Sequence, residues 1–173
     1  MVPLDLTPSQ QAMVQTREAH GKAEFQDLDL DATLATMTEN PSLFFVPTLA
    51  GGNGREEVRD FYKGMMAQLP PDFQVTPVTD TIGRNRIVRE LILTFTHSVA
   101  MDWLLPGLAP TGKQVEIPLI IIFTFQGEKV ESERLYWDQA SMLMQLGLLD
   151  PGGLPITGTQ SVQRLQQLTK AGD

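Results

Sequence analysis

The chain has 173 residues, no cysteine, two histidines and a formal charge of -8, a length that suits one domain with a sizeable core. The acidic balance, with no clustered Lys or Arg to offset it, argues against nucleic acid as a partner. The lack of cysteine excludes disulfides, thiolate catalysis and Cys-ligated zinc, and two widely separated histidines do not suggest a metal site.

No apolar run approaches the ~18 residues a membrane span needs. No basic start followed by an apolar stretch marks a signal peptide, so the expected location is cytoplasmic. Thr7-Pro8-Ser9-Gln10 reads as a helix start, with Thr7 as cap, Pro8 in the first turn and Gln10 completing a capping box. The helix is expected to run to about residue 25. His20 lies in it and reads as a surface or capping histidine. A second helix is expected over 29–38, with Leu30, Leu34 and Met37 on one face, ended by Asn40-Pro41.

Residues 42–46 form a short strand. The Gly-rich stretch 50–54 lacks the spacing of a phosphate loop or a dinucleotide fingerprint and reads as a flexible entry to a helix over 55–68. Val58, Phe61, Tyr62 and Met65 form the buried stripe of that helix. A strand over 73–82 is interrupted by Pro77, which predicts an edge or a bulge. The strand over 86–101 places Ile87, Arg89, Leu91, Leu93, Phe95 and His97 on one face. The loop 102–108 is unusually apolar, as befits a cavity cover or a subunit contact.

Residues 113–140 organise the rest. Val115, Ile117, Leu119, Ile121, Phe123 and Phe125 make a period-two apolar row, and Ile120 and Ile122 make the opposite row apolar as well. Gly127-Glu128 then turns the chain back into a partner strand. A short helix follows over 140–149. Residues 150–173 form a C-terminal extension with a weak amphipathic helix over 159–170. The expected architecture is α+β: a curved, mostly antiparallel sheet with three helices enclosing a cone-shaped cavity.

Segments 27–48, 51–62, 101–119 and 133–149 (DLDLDATLATMTENPSLFFVPT, GGNGREEVRDFY, MDWLLPGLAPTGKQVEIPL and ERLYWDQASMLMQLGLL) resemble, in order and spacing, the SnoaL-like polyketide cyclase branch of the NTF2-like superfamily. The resemblance spans about residues 19–149. It implies the cone fold and cofactor-independent cyclase, isomerase or lyase chemistry on a small apolar carbonyl or polyketide-like compound. It also implies an acid/base aspartate late in the chain, for which Asp138 is the candidate, and pairing of copies through the sheet. The apolar row Pro118, Ile120, Ile122 fits such a homodimer. Dienelactone-hydrolase chemistry of the usual kind is not expected, since there is neither Cys nor a G-x-S-x-G elbow.

Removing a proton beside a carbonyl needs a base in an apolar cavity and a donor for the enolate. If Gly127-Glu128 is a two-residue turn, Phe125 faces Val130 and Ile117 faces Asp138. With His97 opposite Ile117, the three side chains share one face. His97 and Asp138 are then the acid/base candidates and Tyr136 the donor. Trp103, Phe45, Phe95, Leu119, Ile117 and Trp137 are the candidate pocket wall. A slip of one residue turns Trp137 and Glu133 inward and expels Asp138. Asp138 is equally suited to cap the next helix, and Tyr136 and Trp137 to be core aromatics. A non-catalytic binder with the same cavity is the competing reading.

Overall fold

The structure is a computed structural model that describes residues 6–170. Helix α1, Pro8–Lys22, starts as its sequence dictates: Thr7 Oγ1 accepts from Gln10 N, and Gln10 Oε1 accepts from Thr7 N at 2.9 Å. It runs into a π-helical turn, Ala23–Asp27, which ends at Leu28 in the left-handed region. Helix α2 is shorter than expected, Leu30–Ala35, capped by Asp29. Strand β1, Met37–Phe45, begins before Asn40-Pro41 instead of after it. The proline is tolerated because the pairing of β1 shifts register between Met37 and Ser42.

Strand β2 (Ala50–Asn53) and helix α3 (Arg55–Ala67) follow, then β3 (Gln74–Ile82), β4 (Arg86–Thr96), β5 (Gln114–Gln126) and β6 (Lys129–Trp137). Helices α4 (Gln139–Gln145) and α5 (Gln160–Lys170) close the chain. The sheet order is β2-β1-β6-β5-β4-β3, antiparallel throughout except for the parallel pair β1 and β6. β3 is an edge strand with its register break at Pro77, where no N–H is available to the ladder. The inward row of β5, Val115 to Phe125, is buried throughout. Helices α1 to α3 lie over that inward face.

The Gly-rich stretch is a strand and not a flexible loop. Gly51 has φ +131, and a Cβ there would stand 2.0 Å from Leu43 O; at Gly52 it would stand 2.6 Å from the backbone of Glu57. These glycines let β2 press between β1 and the start of α3. Gly52→Ala is expected to cost about 2–4 kcal/mol in urea unfolding, because backbone on backbone cannot yield as a side chain can.

The β5–β6 hairpin holds its turn register, Phe125 with Val130 and Gln126 with Lys129. One extra residue then enters β6 at Glu131, so that Thr124 pairs with Ser132 and Leu119 with Trp137. A bulge of this kind swaps the faces of everything beyond it. Glu133, Leu135 and Trp137 therefore point inward. Tyr136 points outward and is 39% exposed. On the other side of β5, Ile117 pairs with Leu93. His97 lies past the end of β4, where its N–H donates to Lys113 O. On the outer face, α4 and α5 pack against β5, while Phe44, Ile120 and Tyr136 stay exposed.

Candidate active site

Met13, Arg17, His20 and Glu24 recur at helical spacing and form one stripe of α1 and its π turn. All four are buried, although three carry polar heads. π turns inside helices often mark functional positions, and this one carries Glu24. Across from the stripe stand Tyr62 on α3 and Glu133 on β6, brought inward by the bulge.

His20 is the hub, and its burial corrects the expectation of a surface histidine. Its Nδ1 is 2.7 Å from Thr36 Oγ1, and the Thr36 hydroxyl donates to Thr33 O. Thr36 must therefore accept, and Nδ1 carries a proton. Nε2 lies 3.1 Å from both Tyr62 Oη and Glu133 Oε1, while the Tyr62 hydroxyl donates to that same carboxylate at 2.8 Å. Nε2 must donate as well, so the ring is an imidazolium. Burial opposes the charge, yet the charge and hydrogen bond of Glu133 and the nearby Glu24 outweigh it and raise the pKa to about 9. Glu24 Oε2 is 3.6 Å from Nε2. Burial, aided by the Glu133 carboxylate and moderated by His20, raises the Glu24 pKa to about 8. Burial and the two carboxylates push the Tyr62 hydroxyl well above its usual value.

A cleft of about 500 Å³ opens along this stripe, flanked by Arg17, Phe25, Phe73, Arg89 and Ile121, with His20 and Glu24 in its wall. It leads to an apolar inner end of about 30 Å³ between Phe45, Met65, Trp103, Leu119 and Glu133. Glu24 lines both parts and sits where they meet. Trp103 is held by T-shaped contacts to Phe45 and Phe73 at 5.9 Å, and its buried Nε1–H finds no acceptor among the described residues. Buried donors are seldom left so.

Of the residues singled out from sequence, Phe45, Trp103 and Leu119 line the inner end. Trp137 packs edge-on against Phe45 at 5.9 Å and donates to Gln139. Phe95 and Ile117 are fully buried core residues outside the cleft lining. His97 is also fully buried and away from the lining, 3.4 Å from Thr111 N; burial pulls its pKa down. Tyr136 faces outward. Asp138 is exposed and caps α4, accepting from Ser141 N at 3.1 Å and Ser141 Oγ at 2.6 Å. Two registers keep the expected grouping of His97, Tyr136 and Asp138 apart: the bulge at Glu131 turns Tyr136 and Asp138 away from the inner face, and β4 sets Leu93 instead of His97 opposite Ile117. Asp138→Ala is expected to lower stability by about 1 kcal/mol, the usual worth of such a cap, in thermal or urea unfolding, with the cleft unaltered.

The cluster had weak sequence signals. His20 and Glu24 stand at i,i+4, and Arg17 precedes them by one turn. Tyr62 lay unmarked within an apolar stripe.

A curved sheet with helices over one face and an acid/base cluster in the cleft between them defines a protein of the NTF2-like and ketosteroid-isomerase-like fold. The sequence model of the SnoaL-like polyketide cyclase family matches residues 17–146, and the chain belongs to that family. A SnoaL-like polyketide cyclase structure from Jannaschia sp. CCS1 superposes with a TM-score of 0.70 at 22% identity, covering 84% of this chain and 99% of that one. A protein of ketosteroid isomerase-like fold from Catenulispora acidiphila DSM 44928, solved with trimethylamine, gives 0.60 at 16%, covering 78% and 94%. AclR from Streptomyces galilaeus, designated a hydroxylase, gives 0.63 at 17%, covering 82% and 100%. At these identities the likenesses carry the fold alone. No curated protein matches the chain in sequence. Family membership associates the chain with cyclase-type roles.

Proposed function

We propose that this protein is a cofactor-independent acid/base enzyme of the cyclase or isomerase type, acting on a small apolar carbonyl compound. The observation that carries the reading is Glu24: a carboxyl whose pKa is raised by burial to about 8, at the junction of an open cleft and an apolar slot, 3.6 Å from an imidazolium. A base poised near the working pH is what proton abstraction beside a carbonyl needs.

In this mechanism the C–H bond beside the carbonyl breaks and its proton passes to the Glu24 carboxylate. The electron pair moves onto the carbonyl oxygen, which accepts a hydrogen bond from the Trp103 indole N–H. The imidazolium of His20, fixed by Glu133, Tyr62 and Thr36, offsets the negative charge as it develops in a water-poor site. Where a β,γ double bond is conjugated with the enolate, Glu24 returns the proton to the γ carbon, which moves the double bond; where the compound has a second carbonyl, the enolate carbon attacks it, the ring closes, and Glu24 gives its proton to the new alkoxide. His20 and Tyr62 are positioning residues.

One observation favours a second reading, a binding protein that uses the same cleft: the inner end holds about 30 Å³, room for about one water. Exchange of α-protons of a methyl ketone in D2O, followed by NMR, separates the two. Exchange well above the buffer rate supports the enzyme; binding without exchange supports the second reading. Pairing of two copies through the exposed Phe44, Ile120 and Tyr136 remains part of the proposal.

A further inference from the structure

We infer that the substrate carries a carboxylate, bound at the outer part of the cleft by the guanidinium groups of Arg17 and Arg89. The inference rests on the acid/base chemistry proposed above and adds the substrate class.

Arg17 comes from α1 one turn before His20, and Arg89 comes from the inward face of β4; both line the cleft. Asp80 on β3, the strand partner of Arg89, holds them together. It accepts from Arg89 Nε at 2.8 Å and Nη2 at 3.0 Å, and from Arg17 Nη2 at 3.2 Å. One carboxylate thus serves two guanidiniums. Glu18 lies 3.6 Å from Arg17 but is 63% exposed, so its charge is largely spent on solvent.

Donor capacity is left over. The Arg17 side chain is only 7% exposed, and its buried Nε has no partner. None of the described residues accepts from Arg89 Nη1. Burial and the neighbouring Arg89 lower the Arg17 pKa, while Asp80 and Glu18 raise it. Two guanidiniums forced together and only half neutralised form a site that a planar carboxylate completes, because its two oxygens match the guanidinium fork.

The spacing fits a short bifunctional ligand. Arg89 pairs with Ile121 and Phe123 pairs with Glu133, so Arg89 and Glu133 are two strands and two residues apart. That is about 12 Å between their backbones, less where long side chains reach inward. Ile121 and Phe123 lie between them on β5 and both line the cleft. An acid at one end, a few methylenes and a ketone at the other span this path.

The test uses 6-oxoheptanoate and its methyl ester at pH 7.5 and low salt, reading affinity by calorimetry and α-proton exchange by NMR. The acid should bind at least tenfold more tightly than the ester. Arg89→Gln should reduce that preference to less than about twofold, read as the ratio of the acid's affinity to the ester's in the same variant. Arg89→Lys, which keeps the charge but not the fork, should keep only part of it. Circular dichroism confirms folding of each variant, and the Lys variant carries the test if the Gln variant unfolds. Tighter binding of the acid without exchange upholds the carboxylate site and defeats the chemistry. Exchange of both compounds with equal affinity defeats the carboxylate site and upholds the chemistry. Failure of both compounds to bind overturns the inference.

Discussion

Glu24→Gln lowers the rate of α-proton exchange by about 10²–10⁴-fold, the usual worth of a positioned general base. The amide keeps the shape of the carboxyl and cannot take the proton. Rate against pH gives a second readout. The wild-type rate rises as Glu24 loses its proton near pH 8 and falls as His20 loses its own near pH 9. In the Gln variant the rising limb is gone. Stability moves the other way. A carboxyl whose folded pKa is raised from 4.5 to about 8 loses folding stability as pH climbs through that window, because the unfolded chain ionises first. Glu24→Gln removes this loss, so its urea midpoint at pH 8 should equal or exceed that of the wild type. A Gln variant that exchanges protons at the wild-type rate would remove Glu24 from the chemistry.

Glu133→Ala should be the most damaging single change to folding. It strands the imidazolium of His20 and the hydroxyl of Tyr62, both buried, without their common acceptor. Breaking one side of a buried ion pair costs about 3–5 kcal/mol. Glu133→Gln tests the charge alone. In the wild type, His20 has a folded pKa raised to about 9. Its contribution is complete below the unfolded value of about 6.5 and is lost as pH rises through 9. Without the Glu133 charge the folded pKa drops and this alkaline loss shrinks. Urea midpoints at pH 6 and pH 9 measure it. Equal slopes in wild type and Glu133→Gln would show that His20 is not held as a cation by Glu133.

The positions of the four strands after residue 73, the edge or bulge set by Pro77 and the capping box at Thr7 followed from local chemistry that neighbours in sequence decide. The double-sided apolar strand at 114–126 could only be the middle of a sheet. Two other features depended on contacts between residues far apart. The extra residue in β6 enters where the parallel pairing with β1 also shifts register, and nothing in KVESERLYW marks the place. It alone decides that Glu133 and not Asp138 looks inward. The stripe of Arg17, His20 and Glu24 reads in isolation as a solvated helix face, since polar heads are buried only when partnered. Asp80, the partner of Arg17, and Tyr62 and Glu133, the partners of His20, lie 63, 42 and 113 positions away. Periodicity thus determined the long strands at the centre of the sheet, while tertiary pairing decided which ionisable groups face the cleft, because desolvation is tolerable only where distant charges and donors meet.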